Sequence, residues 1–191
     1  MPEQIGTYHL AANPTRYEVQ RSNNFEFIVT DIDSLLRSGV DASTATSADT
    51  ITNGQEVLRL SVVKMTIPSF SQNTIEIKRG NTTIKAAGVP TFGDGSLEVN
   101  DYIGADTKSV LLAWQRLSYD VTTETVGQMS AYKKNCTLIE YTPDYKQVRY
   151  WDLIGCWVSE VKEGDFDMES NNKQVITAVI QYDRAIMHMP D

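Results

Sequence analysis

The run Ala131-Tyr132-Lys133-Lys134-Asn135-Cys136-Thr137-Leu138-Ile139-Glu140-Tyr141-Thr142-Pro143-Asp144-Tyr145-Lys146-Gln147-Val148-Arg149-Tyr150-Trp151-Asp152-Leu153-Ile154-Gly155-Cys156-Trp157-Val158-Ser159-Glu160-Val161 reads as two strands joined by a turn. Cys136, Leu138 and Glu140 alternate with Thr137, Ile139 and Tyr141, the period of two expected of a strand with unlike faces. Pro143-Asp144 interrupts the pattern. Val148 to Val161 then resumes with Tyr150, Trp151, Leu153, Ile154, Trp157 and Val158, aromatic and β-branched enough for a second strand. The spacing predicts a hairpin turning between Thr142 and Lys146.

Further strands extend in both directions. Phe25, Phe27 and Val29 alternate with Glu26, Ile28 and Thr30 in a first strand; Val57 to Ile67 predicts a second, stopped by Pro68. Thr74 to Lys78 and Asn81 to Lys85 flank Arg79-Gly80 as a basic hairpin, with glycine suited to the positive φ of a tight turn. Gly93-Asp94-Gly95 marks a turn before an alternating strand from Ser96, and Val175 to Tyr182 is the last strand. One helix is expected, from Asp106 as N-cap to Ser118, because Val110, Leu111, Trp114 and Leu117 form one apolar stripe. About seven closely spaced strands and a single helix predict a mainly β fold, an antiparallel sandwich or barrel rather than βαβ units.

The rest of the chain divides around this core. Residues 1–24 read as a polar N-terminal arm, 25–184 as the domain, 33–56 as a polar surface insertion, and 185–191 as a C-terminal tail. The total of 191 residues suits one domain. No signal peptide and no membrane anchor are expected, since the start lacks a basic segment and no long apolar run occurs.

Chemistry finds little support. His9 and His188 fall in the terminal segments, Cys136 and Cys156 stand apart from any metal-ligand spacing and read as reduced core residues, and no phosphate loop or complete calcium loop is present. Neither catalytic residues nor a cofactor or metal is expected. A net charge of −8 argues against gripping nucleic acid, which requires a basic face. The charges are nevertheless unevenly placed. Between Arg59 and Lys85 stand five cations (Arg59, Lys64, Lys78, Arg79, Lys85) and Glu76 alone, whereas Glu160, Glu163, Asp165, Asp167 and Glu169 face only Lys162. Two such patches suit identical subunits stacked head to tail, a contact that extends rather than closes.

Several motifs, in order, give the chain a resemblance. Asn24-Phe25-Glu26-Phe27, Ile67-Pro68, Gly93 through Asp101, Leu112-Ala113-Trp114-Gln115, Ala131-Tyr132-Lys133-Lys134, Gly155-Cys156-Trp157 and Asp167-Met168-Glu169-Ser170-Asn171-Asn172 are together similar to the tail tube proteins of contractile-tailed bacteriophages. That family shares its fold with the type VI secretion tube. Val158 departs from it, standing where the family commonly has proline. The resemblance implies a hexameric ring whose subunits pool strands into a large inner β-barrel. It further implies rings stacked into a conduit for DNA ejection, in a virion tail assembled in the host cytoplasm. The implied partners are further copies of the chain, the tail sheath, baseplate and tail terminator proteins, and, in the lumen, the tape measure protein and genomic DNA bound without sequence specificity. Inter-ring stacking would place Lys78, Arg79 and Lys85 of one ring against Glu160, Glu163, Asp165 and Asp167 of the next. The helix would lie on the outer surface. A type VI-like secretion tube is the alternative, and a monomeric β-barrel enzyme or ligand-binding protein a third reading.

Overall fold

A computed structural model of the chain describes residues 12, 18–40, 43–44, 46–169 and 171–189. In chain order the elements are β1 (Phe25–Val29), β2 (Ser34–Leu36), a 3-10 turn (Ser47–Asp49), β3 (Thr50–Thr52), α1 (Gly54–Ser61), β4 (Val62–Met65), β5 (Phe70–Arg79), β6 (Thr82–Phe92), β7 (Gly95–Asn100), α2 (Thr107–Arg116), β8 (Tyr119–Asp120), β9 (Thr125–Val126), α3 (Met129–Tyr132), β10 (Lys134–Tyr141), β11 (Gln147–Lys162), β12 (Val175–Gln181) and β13 (Arg184–His188). The mainly β, antiparallel expectation holds. Seven strands form one sheet in the order β1-β10-β11-β12-β7-β4, with β13 beside β11, while β2-β3, β5-β6 and β8-β9 are separate two-stranded ribbons.

The expected hairpin around Thr142 to Lys146 is β10–β11, and the Thr142 amide donates to the Lys146 carbonyl at 2.8 Å. β11 is long because it serves two partners along one edge. Up to Ile154 that edge pairs with β13, Tyr150 opposite His188 and Ile154 opposite Arg184. From Trp157 onward it pairs with β12, Trp157 opposite Gln181 and Lys162 opposite Thr177. The change of partner falls at Gly155, whose φ of +70° is the left-handed region that glycine enters without a Cβ penalty. Asp183, between β12 and β13, closes the joint. Its amide donates to the Ile154 carbonyl at 3.0 Å, and Lys133 donates to both of its carboxylate oxygens, at 2.8 and 2.7 Å.

One core fills the space between the two halves of this sheet. Phe27, Val29, Leu138, Trp151 and Leu153 come from the β1-β10-β11 half, Leu97, Val99, Ile176, Ala178 and Ile180 from the β12-β7 half, and all are buried. α2 covers it with Val110, Leu111, Ala113 and Trp114; Val110, Leu111 and Trp114 belong to the apolar stripe predicted from sequence, and Leu117, its fourth predicted member, is partly buried against the core. Trp114 is fully buried, and its indole N–H donates to the Tyr132 carbonyl at 2.9 Å, so its polar edge is satisfied. Cys136 and Cys156 are buried free thiols in this core, and burial pushes the Cys136 thiol well up.

Several expectations are corrected. Residues 57–61, the start of the predicted second strand, are helical, as are residues 54–56 at the end of the predicted insertion. Leu58 and Ser61 fall on one buried face at a spacing of three, and the strand begins only at Val62. There are thus three helices among the described residues, not one. The 33–56 insertion is not wholly a surface excursion, because Leu35 and Ile51 bury themselves opposite each other in β2–β3. Short alternation hid this: three-residue strands give too few periods to register in a polar background. The expected tail from Ala185 is mostly strand β13, with His188 stacked on Tyr150 at 4.7 Å. The strand expected to end at Val161 continues through Lys162, so Glu160, counted among the acidic patch, lies within β11. Most of the expected N-terminal arm, with His9, lies outside the described residues.

Gly155→Ala places a Cβ against the Asp183 carboxylate and forces a non-glycine residue into positive φ. It is expected to lower unfolding stability by about 2 kcal/mol or more in urea titrations. Gly155→Ala combined with Asp183→Ala removes the clash and should lose less than the two single changes added together.

Candidate assembly interface

The basic hairpin of the sequence reading is β5–β6, and it is far longer than predicted, 10 and 11 residues per strand. It pairs with no other strand among the described residues. At about 3.3 Å per residue it extends roughly 30 Å. Its base is fixed by aromatic contacts. Phe70 meets Phe92 at 5.9 Å, Phe92 meets Tyr182 edge-on at 6.2 Å, and the Gly93 amide donates to the Ser69 carbonyl at 3.2 Å. Burial raises the Tyr182 phenol above its ordinary range. At the tip, Gly80 has a φ of +58°, the conformation expected of Arg79-Gly80 as a turn.

Register gives the ribbon two unlike faces, because residues directly opposite in an antiparallel pair share a side. Ile75 opposite Ala86, Ile77 opposite Ile84 and Arg79 opposite Thr82 form one. Glu76 opposite Lys85 and Lys78 opposite Thr83 form the other. The first face is apolar yet open to solvent, with Ile75 53%, Ile77 48% and Ile84 55% exposed. Two-stranded ribbons are marginal in water on their own, and an exposed apolar face of this kind marks a contact surface.

The structure divides the residues expected to stack. Lys78, Arg79 and Lys85 gather toward the ribbon tip, whereas Arg59 and Lys64, counted with them in the basic stretch, belong to the body and pair with Glu26 and Glu98. Glu160 lies in β11, 3.4 Å from Lys162, and Glu163 pairs with Lys108 of α2. Asp165 and Asp167 sit in the loop that follows, Asp167 accepting the Glu169 amide at 2.9 Å. No ion pair among the described residues joins the basic set to the acidic set within the chain.

Topology explains their separation. The ribbon leaves the sheet just before Gly95, which lies opposite Ile180. The acidic loop leads into Val175, which lies opposite Asn100 at the far end of the same strand. β7 is six residues long, so about 20 Å of sheet separates the two. Sequence reading missed the apolar residues beside the acidic loop: Phe166 is 90% exposed, and Met168 and, from the loop before α2, Ile103 are fully exposed. The two loops meet through the Asp101 amide on the Gln174 carbonyl at 3.2 Å and the Lys108–Glu163 pair.

One face of the β12–β7–β4 region is core, formed by Leu97, Val99, Ile176, Ala178 and Ile180. The other is half-buried and mixed, polar along β7 with Ser96, Glu98 and Asn100 and alternating Val175, Thr177, Val179 and Gln181 along β12, and Lys64 donates to Glu98 at 2.8 Å.

The sequence model of the family described as T4-like virus tail tube protein gp19 matches residues 23–185. The chain belongs to that tail tube protein family. The tail tube protein gp19 of Enterobacteria phage T4 is 30% identical over 109 residues, spanning 56% of this chain and 67% of that one. The phage T6 protein matches to the same extent. In fold, this tail tube protein resembles a chain in the cryo-EM sheath-tube complex of an extracellular contractile injection system, PVC, in the extended state. The TM-score is 0.61 at 17% identity, over 98% of this chain and 100% of that one. A chain of the anti-feeding prophage cap gives 0.59 at 14% identity, over 90% and 92%. The family match and the phage relatives favour a phage-type tail tube over the type VI-like alternative.

Because the ribbon packs, among the described residues, at its base, replacing residues 72–90 with a short Gly-Asn turn should leave the body folded. The expected readouts are a far-ultraviolet spectrum that loses only the ribbon's strand contribution and a melting temperature within a few degrees of the parent.

Proposed function

We propose that this tail tube protein is a non-enzymatic structural subunit whose hexameric rings stack into a hollow conduit for DNA ejection. One observation carries the reading: a ribbon with a basic tip projects from one end of the sheet, and an acidic loop sits at the other. A subunit built this way presents complementary ends, and stacking them is open-ended. Lys78, Arg79 and Lys85 of one ring would approach Asp165 and Asp167 of the next most directly. Glu160 and Glu163 would contribute through the local field, since Lys162 and Lys108 already hold them.

Ring closure would come from strand edges. Among the described residues β1 and β4 each pair on one side only, and pairing between copies would pool the strands into a shared inner barrel. The half-buried face that carries Ser96, Glu98 and Asn100 of β7 suits the lumen. There Lys64 is paired with Glu98, and the −8 net charge of the chain disfavours binding to passing DNA. Sheath, baseplate and terminator proteins would contact the tube's outside and ends, and the tape measure protein would occupy the lumen before the genome, in a virion tail assembled in the host cytoplasm.

Purified protein should form rings or tubes with a central channel in negative-stain electron microscopy, and dispersed monomers under all conditions would contradict the proposal. Lys78→Glu with Arg79→Glu should shorten or abolish tubes while rings persist. The effect should weaken as salt rises toward 1 M, where exposed charges are screened within about 3 Å.

A further inference from the structure

We propose that ring stacking is anchored by an apolar seat: the Ile75, Ile77, Ile84 face of one copy's ribbon packs on Ile103, Phe166 and Met168 of a second copy. This inference rests on the stacking reading above and names the surface that receives the ribbon. The ribbon's register puts three isoleucines on one side, all about half exposed, and nothing among the described residues covers them. The chain offers its own counterpart. Phe166, Met168 and Ile103 project from the two loops at the opposite end of the sheet, almost entirely in water.

Charge complementarity selects this occupant. Arg79 lies on the isoleucine face near the tip, and Lys78 and Lys85 flank it on the other side. Asp165 and Asp167 alternate with Phe166 and Met168 in the receiving loop. A ribbon seated there puts apolar on apolar and cation on anion at once. The charges would then govern approach and register, while burial of the isoleucines, phenylalanine and methionine would hold the rings together. The opposite placement of the two surfaces prevents a copy from seating its own ribbon on its own loops, so each contact requires another copy.

Four assemblies test this, each variant first checked for folding by circular dichroism, which changes at such exposed positions should leave intact. Ile77→Ser with Ile84→Ser, and separately Phe166→Ser with Met168→Ser, should each give rings without tubes in electron microscopy. Preformed rings of the two variants, mixed, should yield two-tier particles and no tubes, since one supplies an intact ribbon and the other intact loops. Ile77→Cys mixed with Met168→Cys should form a disulfide between chains on mild oxidation. Tubes of normal length from Phe166→Ser with Met168→Ser would overturn the apolar seat. If Lys78→Glu with Arg79→Glu still abolished those tubes, the charge-based stacking would stand without it. If no change affected tube length, or if the parent rings never stacked, both readings would fall.

Discussion

The fold turns on Gly155. A sixteen-residue strand cannot curl around a small core and keep one partner throughout, so β11 exchanges β13 for β12 part-way along. The exchange requires a residue at positive φ with no side chain, next to a carboxylate held by Lys133. Through this joint the β1-β10-β13 half and the β12-β7-β4 half enclose one core, with α1 and α2 covering what the sheet leaves open. Motifs that seemed unrelated in the sequence meet here. Lys133 clasps Asp183, Tyr132 packs edge-on against Trp157 at 5.8 Å, and Trp114 donates to Tyr132.

The two surfaces read as functional depend on that arrangement. With β7 and β12 antiparallel and in register, whatever enters the sheet at Gly95 emerges at the end opposite whatever enters at Val175. The ribbon and the acidic, apolar loop are therefore held apart by a rigid strand pair. Neither can satisfy the other within one chain. Among the described residues the amphipathic ribbon is fixed at its base, by Phe70, Phe92 and Tyr182 and by the Gly93 amide on the Ser69 carbonyl, and its apolar face stays open to solvent, as suits a member of a tail tube family.

Legibility followed the number of periods available. The strands β1, β7, β10, β11 and β12 and the helix α2 were readable because each repeats its pattern several times across a two-sided environment. α1 was not, since Val57, Leu58, Leu60, Val62 and Val63 run without a clear period and their β-branched members favour a strand. Tertiary burial of Leu58 and Ser61 overrode that preference; the Ser61 hydroxyl also lies 2.9 Å from the Thr107 hydroxyl. The charge clusters were visible as composition, but which charges were already paired was not. Arg59, Lys64, Glu160 and Glu163 find partners 33, 34, 2 and 55 positions away, and only the last-but-one is local.

Composition and periodicity were enough to establish a mainly β domain with one amphipathic helix, a glycine-turned basic hairpin, two buried free cysteines and a motif order similar to tail tube proteins. They reflect local rules, in which each residue answers to neighbours a few positions away. The partner exchange at Gly155, the opposite placement of ribbon and acidic loop, and the exposure of Ile77, Phe166 and Met168 belong to tertiary structure alone. Each depends on which distant strands lie side by side, and strand pairing between segments tens of residues apart leaves no periodic trace in either segment.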